Sequence, residues 1–312
     1  MDATHALFEN LIDYAGLFPP AELEVEPAVE EYDTLRQGAR AWMLGRFILP
    51  ASRVFEVCEQ IGQGDPFPLS VIVDGGSDPV AWLTTATARL ATVVQASTGN
   101  PIRVEALEVP VPPPAAARDT YDSVIAQFGM VAHNAGLRGL PIFVELTRDA
   151  QWERLLPGAM AALARAKFGA KLRCGGVVQT AFPTSEQIAA FVRAAYEHEV
   201  PFKATAGLHH PVRRRDPGTG LLMHGFLNLL AATLFIRDGA GDQEVIEILE
   251  ERDEAAFRLA PDTFSWRERS ASLHEIQVGR KSGLISYGSC SVEEPVGDLI
   301  ALNMLQPSQA PL

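Results

Sequence analysis

The sequence predicts a single α/β domain with the (β/α)8 barrel fold, and three observations predict it. Short β-rich runs alternate with segments of helical periodicity from residue 44 to the C-terminal end. Eight such runs can be counted in 312 residues, and a barrel of this type usually takes about 250 residues. No G-x-G-x-x-G motif follows the first run, which disfavours the alternative fold, an open doubly wound sheet.

The predicted strands are, in order, residues 44–49, 69–74, 103–109, 141–147, 170–174, 201–206, 257–265 and 283–287. Helices are predicted between them. The clearest begins at Thr184, where Thr184 and Gln187 have the spacing of a capping box. We assign residues 1–312 to one barrel domain, with an N-terminal extension at 1–40, an extra helix around 242–254 between the sixth and seventh strands, and a polar tail at 305–312.

The segment 225–236 is apolar on nearly every side, which predicts a helix covered on both faces. A subunit interface would cover it, so the sequence allows a homo-oligomer. The extra helix around 242–254 is the other candidate cover.

Composition excludes several functions. The formal charge of −13 is spread along the chain, which argues against nucleic acid as a partner because phosphate binding needs a basic stripe. The N-terminus lacks a signal-peptide pattern and the longest apolar run is too short to cross a bilayer, so no membrane partner is expected. Three cysteines without a short-spaced pair fit reduced thiols, and we expect a cytoplasmic protein.

Charged residues interrupt the predicted strands, although barrel interiors are usually filled by Val, Ile and Leu. Period-two alternation puts Lys171 and Arg173 on one face of their strand, with Lys203 and Thr205 likewise on the next. We assign the charged faces to the lumen, where four cations (Arg46, Lys171, Arg173, Lys203) face Glu105 and Glu145. The predicted positive excess suggests a small anionic substrate, a carboxylate or phosphate. The alternative is an ion-pair network that neutralises itself across the lumen.

The segment from Lys171 to His209 resembles deoxyribose-phosphate aldolase, a Schiff-base lyase on the same barrel. The resemblance rests on Lys171, on a helix that opens with Thr184-Ser-Glu-Gln-Ile188, and on the run Lys203-Ala-Thr-Ala-Gly-Leu208. It implies that Lys203 forms the imine. The family's second lysine, on strand 7, has no counterpart here, and its strand-3 aspartate is matched only by Glu105. Residues 14–20 and 202–211 are also similar to a bacterial family of unassigned function.

The chemistry expected from these residues is lyase or aldolase chemistry. A lysine buried beside other cations loses affinity for its proton, and the neutral amine can attack a carbonyl group. Lys203 is the predicted nucleophile beside Lys171, and Glu145 is the predicted proton-transfer group. Only four of the 26 basic residues are lysines, and arginine cannot replace lysine in an imine.

The sequence also allows two other functions, and it predicts no resident cofactor. His209 and His210 follow the sixth strand at the mouth where barrel enzymes keep their active sites. His209 is a candidate general acid or base. Either histidine could also bind a metal with His224, Asp74 or Glu145, giving a metal-assisted hydrolase or lyase. The remaining alternative is a barrel that binds a ligand without turning it over.

The loop after the last strand is a candidate anion site. Gly288, Ser289 and Ser291 open the last helix, and backbone amides near strands 7 and 8 often bind phosphate or carboxylate in barrels. A simple helix-capping loop is the competing interpretation. Thr205 and His210 complete the predicted binding residues. The run 213–215, three arginines, is either an anion-binding lid or a solvated charge run.

Overall fold

Eight parallel strands form a closed barrel in the computed structural model, which describes residues 1–62, 65–112 and 121–307. Each strand pairs with its neighbours along the chain, and the last pairs with the first. The predicted barrel is confirmed. The strands are β1 (Ile12–Tyr14), β2 (Leu44–Pro50), β3 (Phe67–Ile72), β4 (Ile102–Val111), β5 (Ile142–Leu146), β6 (Gly169–Arg173), β7 (Phe202–Thr205) and β8 (Leu284–Ser289).

Helices surround the barrel and cover the apolar face of each strand. Val144, Leu172 and Ala204 point to this side and are buried. The predicted capping box is present, since the Thr184 side chain accepts from the Gln187 backbone N–H. The helices are α1 (Ala3–Phe8), α2 (Val25–Gln37), α3 (Val54–Gln60), α4 (Trp82–Ala96), α5 (Asp122–Asn134), α6 (Trp152–Ala166), α7 (Ser185–Glu197), α8 (Phe226–Arg237), α9 (Asp242–Glu250), α10 (Leu273–Ser282) and α11 (Glu293–Ala301).

The first barrel strand lies inside the segment predicted to be an N-terminal extension. Ile12 pairs with Leu44 of β2 and with Tyr287 of β8, so residues 1–40 supply the strand that closes the barrel. A three-residue strand with an aspartate at its centre shows neither an apolar run nor a clear alternation. The pattern that revealed the longer strands is therefore absent there.

The predicted seventh strand, 257–265, is not part of the barrel. It divides into Phe257–Leu259 and Thr263–Trp266, which join Arg269–Ser272 in an antiparallel sheet. Pro261 lies in the turn between the first two strands, and proline cannot donate to a strand ladder. Of the predicted tail at 305–312, residues 308–312 lie outside the described part of the chain.

Helix α8 is buried on all sides, as its composition predicted. Every residue from Phe226 to Ile236 is buried, and α7, α9 and α10 pack against it. Helix α9 is the predicted extra helix, and it lies between β7 and β8. Asn228 bonds to the carbonyls of Ile248 and Glu251 at the end of α9, at 2.7 and 2.9 Å. The helices that cover α8 thus belong to the same chain.

In the described part of the chain, no helix combines the length and the hydropathy needed to span a lipid bilayer.

Candidate active site

Lys203 lies at the centre of the lumen and is 1% exposed. Alternation along β7 turns its side chain inward. Its Nζ is 2.7 Å from Asp13 Oδ2, 2.6 Å from Glu108 Oε1 and 3.0 Å from Ser70 Oγ. Each of the three N–H bonds of the ammonium group therefore has an acceptor.

Lys171 occupies the matching position on β6 and is 6% exposed. Its Nζ is 2.8 Å from Glu108 Oε2 and 2.9 Å from Glu145 Oε2. Burial lowers the pKa of Lys171, but the two carboxylates outweigh it and raise the pKa above its usual range. The Lys171 amine is thus surrounded by carboxylates rather than by cations.

Glu108 bridges the two lysines with one oxygen on each. Burial raises the pKa of this carboxyl group, and the adjacent ammonium groups overcome that effect and hold the pKa well below its ordinary value. The sequence assigned Glu105 to the lumen and gave Glu108 no role. A register shift brings Ala106, not Glu105, opposite Ser70. This irregularity changes which residues of β4 face inward.

Asp13 was also missed, and it is fully buried. Its Oδ1 accepts from the backbone N–H of Arg46 at 2.6 Å, and its Oδ2 accepts from the Ser286 hydroxyl at 2.6 Å. A Cβ on Gly45 would come 2.2 Å from Asp13 Oδ1, so this approach requires glycine. The only sequence signal was an aspartate between two large apolar residues.

The lumen is balanced in charge, so the predicted positive excess is wrong. Arg46 pairs with Glu105 at 3.2 Å, and Arg173 with Glu145 at 3.8 Å. The four predicted cations are matched by four carboxylates, those of Asp13, Glu105, Glu108 and Glu145. The self-neutralising network left open by the sequence is the observed arrangement. Arg46 and Glu105 lie in the N-terminal halves of β2 and β4, away from the mouth.

Thr205 and Gly288 form the next layer toward the mouth, above Lys203 and Ser286. A Cβ on Gly288 would be 3.0 Å from Ile48 Cδ1 and 3.2 Å from Thr205 Oγ1, so little space is left between them. Arg173, by contrast, has a side chain that is 56% exposed. The lumen therefore opens toward Lys171 more than toward Lys203.

The two histidines bond to α11 rather than to the lysines. His209 Nδ1 is 3.2 Å from Glu294 Oε2, and His210 Nδ1 is 2.7 Å from Asp298 Oδ2. Ser289 and Ser291 bond locally: the Ser289 hydroxyl donates to the Ser291 carbonyl, and the Glu294 N–H donates to Ser291 Oγ. These contacts match the helix-capping interpretation of the loop. Within the described ranges, no three His, Cys, Asp or Glu side chains are grouped to hold a metal ion.

The loop after β7 is anchored by a buried pair. Arg213 Nη1 lies 2.7 Å from His224 Nδ1, and His224 Nε2 lies 2.8 Å from the Pro183 carbonyl. Burial and the guanidinium lower the pKa of His224 to about 4. Arg214–Arg215 and Leu222–Met223 form a small hairpin in which both arginines are exposed and the two apolar residues are partly buried. Arg213 thus anchors the loop, while Arg214 and Arg215 are exposed.

Comparison with solved structures finds the same fold in deoxyribose phosphate aldolase from Aeropyrum pernix, a structure described as a unique tetramer. The TM-score is 0.52 and the sequences are 14% identical, over 96% of this chain and 98% of that one. The fold-level resemblance predicted from residues 171–209 is confirmed. No family model matches the chain, and no curated protein matches it.

Proposed function

We propose that this chain is a lyase of the aldolase type, which forms an imine between a lumen lysine and a small anionic carbonyl compound. One observation carries the proposal: two buried lysines on adjacent strands share a single carboxylate, Glu108. The barrel fold common to this chain and an aldolase supports it. An ion-pair network with only a structural role would not require lysine, since nearly all other basic residues of this chain are arginines.

Lys171 is the better nucleophile of the two, although the sequence pointed to Lys203. Lys203 has three acceptors and is almost completely enclosed. Lys171 has two carboxylate partners, one of which, Glu145, is itself partly exposed at 15%. We therefore assign the imine to Lys171, and to Lys203 the role of holding Glu108 and Asp13 in place.

The raised pKa of Lys171 means that proton transfer must come first. Glu145 Oε2, 2.9 Å from the amine, accepts this proton. The neutral amine adds to the carbonyl carbon, and a proton shift from nitrogen to oxygen gives a carbinolamine. Glu145 then returns its proton to the hydroxyl group, and water leaves. The product is a protonated imine, with Glu145 again a carboxylate.

Cleavage follows from the electron demand of the protonated imine. Glu145 takes the proton of the substrate's β-hydroxyl group, and the bond between the α and β carbons breaks. Its electron pair forms an enamine, and an aldehyde departs. Glu145 then protonates the enamine carbon, and water hydrolyses the resulting imine. His209, at the mouth beside Glu294, is the proposed carrier of protons between this site and solvent.

Borohydride trapping tests the proposal. The protein is incubated with a panel of oxo acids and aldehydes, reduced, and mapped by peptide mass spectrometry. Reduction converts the imine to a stable secondary amine, so we expect one adduct on Lys171. It should be absent from Lys171→Met and retained in Lys167→Arg and Lys281→Arg, whose lysines are exposed.

Three other outcomes are informative. An adduct on Lys203 would overturn the choice of lysine and keep the Schiff-base chemistry. No adduct on either lumen lysine, with any compound, would overturn the proposed function. An adduct without release of a cleavage product would favour a barrel that binds carbonyl ligands without turnover.

We also propose a cytoplasmic homo-oligomer. The three free cysteines support a reducing compartment. The tetrameric description of the Aeropyrum pernix structure supports assembly. Size-exclusion chromatography with light scattering tests the oligomer, and a mass equal to the 33.8 kDa chain would contradict it.

A further inference from the structure

An open groove runs between α5 and α6 and reaches the N-terminal ends of β5 and β6, which lie away from the lumen mouth. Its volume is about 1180 Å³. This exceeds the range of about 300–1,000 Å³ that is usual for small-molecule pockets. The size of the groove therefore favours a segment of a protein chain as its occupant.

Apolar side chains form the floor of this groove, and several keep part of their surface in solvent. Met130 is 61% exposed, and Phe168, Leu137 and Leu140 are only partly buried. A Cβ on Gly129 would lie 3.3 Å from Phe168 Cζ, so the Phe168 ring packs close to the backbone of α5. Covering such an apolar surface with a partner is favourable.

The rim of the groove is basic, although the whole chain has a formal charge of −13. Arg138, Arg165 and Lys167 line it, and Asp122 is the only acidic residue among the described lining residues. Arg165 pairs with Asp122. Arg138 and Lys167 are exposed and have no ion-pair partner in the described part of the chain. The rim is therefore complementary in charge to an acidic partner.

Helix α3 carries a surface of matching chemistry. Phe55 is 40% exposed, and Glu59 lies one helical turn further along the same face. Glu56 is also exposed and pairs with Arg53 at 3.0 Å. Glu59 is exposed and has no ion-pair partner within the described ranges. An apolar ring flanked by two carboxylates thus faces solvent on this helix.

The other exposed apolar side chains fit the groove less well. Tyr196 has the guanidinium of Arg237 over its ring, 5.5 Å from the ring centroid. Four more lie outside the helices and strands: Met1, Val80, Val177 and Val178. Aromatic residues are enriched at protein interfaces, and Phe55 combines an exposed aromatic ring with acidic neighbours.

The two surfaces lie on different sides of the same barrel. Helix α3 follows β2, whereas the groove lies beside β5 and β6, and β3 and β4 separate β2 from β5 in the closed barrel. One copy therefore cannot place its own α3 in its own groove. Contact between the surfaces requires a second copy, and a contact between two different patches can repeat from copy to copy.

We propose that α3 of one copy of this chain docks in the groove between α5 and α6 of a second copy. Phe55 covers the apolar floor, while Glu56 and Glu59 meet Arg138 and Lys167 at the rim. This proposal rests on the proposed homo-oligomer, to which it gives a contact surface. It is independent of the proposed imine chemistry.

Sedimentation analysis over a dilution series tests the contact. The unmodified chain should form a multiple of its 33.8 kDa mass. Phe55→Ser should raise the dissociation constant of the assembly by about thirtyfold or more, as expected for the loss of a central interface residue. Val80→Ser removes a different apolar side chain, which is 89% exposed, and should leave the constant unchanged.

A charge exchange tests which groups meet. Arg138→Glu combined with Lys167→Glu should weaken the assembly at least about tenfold, because like charges then face each other. Glu56→Lys combined with Glu59→Lys should do the same. A chain with all four substitutions should assemble again, since the two surfaces are complementary with their signs reversed. Arg258→Glu, an exposed arginine of the antiparallel sheet, should assemble as the unmodified chain does.

The outcomes separate the contact from the oligomer. Reassembly of the fourfold variant would support the contact and show that the paired substitutions leave the chain folded. A fourfold variant that stays dissociated, or an assembly insensitive to Phe55→Ser and to both charge changes, would overturn the contact and keep the homo-oligomer. Sensitivity of the groove without sensitivity of α3 would overturn α3 as the occupant. A monomer at every concentration would overturn both proposals and leave the imine chemistry unaffected.

Discussion

Glu108 is the residue on which most of the lumen depends, since its two oxygens hold both lysines at 2.6 and 2.8 Å. Removing one partner of a buried ion pair leaves the other charge uncompensated, at a cost of about 3–5 kcal/mol. We expect Glu108→Gln to lower the free energy of unfolding by that amount in urea titrations. Glu105→Gln, at a partly exposed pair, should change it by about 1 kcal/mol or less. Equal effects of the two substitutions would contradict this assignment.

The same carboxylate predicts how stability depends on pH. Its pKa is held well below the ordinary value in the folded protein, and it is about 4.3 in an unfolded chain. The unfolded state therefore binds the proton first as the pH falls. The contribution of Glu108 is complete above about pH 5 and declines below about pH 4.3 toward its folded pKa.

Urea titrations at pH 7, 5, 4 and 3.5 measure this decline. The unmodified protein should lose more stability between pH 5 and pH 3.5 than Glu108→Gln does, because the variant has no carboxyl group to protonate at that position. Parallel losses in both proteins would show that other carboxyl groups cause the acid sensitivity.

The strand alternation predicted that Lys171, Lys203, Glu145 and Arg173 share the lumen. Their contacts with one another and with Glu108 confirm that placement. The alternation missed Asp13 because a three-residue strand has no period to detect. It missed Glu108 because a register shift changes the inward parity of β4. The predicted positive charge of the lumen was wrong for the same two reasons, since Asp13 and Glu108 are both acidic.

The loops that leave β6 and β7 are packed backbone to backbone. Gly207 has φ +68°, and a Cβ there would lie 2.9 Å from Phe182 Cε1 and 3.0 Å from the Cys174 carbonyl oxygen. A side chain at this position would therefore force the neighbouring atoms to shift. These loops fix the mouth ends of the two strands that carry the lysines.

Gly207→Ala should therefore strain the mouth. We expect a loss of about 1–3 kcal/mol in the free energy of unfolding, together with slower imine trapping on Lys171. Gly218→Ala, in the exposed turn of the hairpin after β7, where the nearest atom is Asp216 Oδ1 at 3.5 Å, should change stability by about 0.5 kcal/mol or less. An alanine at 207 that leaves both measurements unchanged would show that the loops have room to separate.

Element boundaries were predictable where local chemistry marks them. The capping box at Thr184 identified the start of α7, and the apolar run identified α8. The segment 257–265 has strand-like composition, but its turn at Pro261 folds it back on itself. Composition alone cannot tell a barrel strand from an antiparallel pair that packs outside the barrel.

The whole barrel is closed by β1, which lies in the N-terminal segment 1–40. We propose that residues 1–312 form one domain, and deletion of residues 1–40 tests this. Without β1, the edges of β2 and β8 lose their partner and Lys203 loses Asp13. We expect the truncated chain to lose its near-ultraviolet circular dichroism and its cooperative urea transition, because the lumen network is left incomplete.

Adding residues 1–40 back as a separate peptide provides the control. It should restore part of the near-ultraviolet signal, because the strand can pair without a covalent link. A truncated chain that unfolds as cooperatively as the full chain would show that residues 1–40 are an extension after all.

The bond between Asp13 and Ser286 joins residues 273 positions apart, and this has a consequence for synthesis on the ribosome. At about 5–20 residues per second, roughly 14–55 s separate the translation of the two residues. Asp13 is therefore synthesised that long before Ser286, and Lys203 is synthesised between the two. A nascent chain therefore has no complete lumen network until Ser286 has left the ribosome.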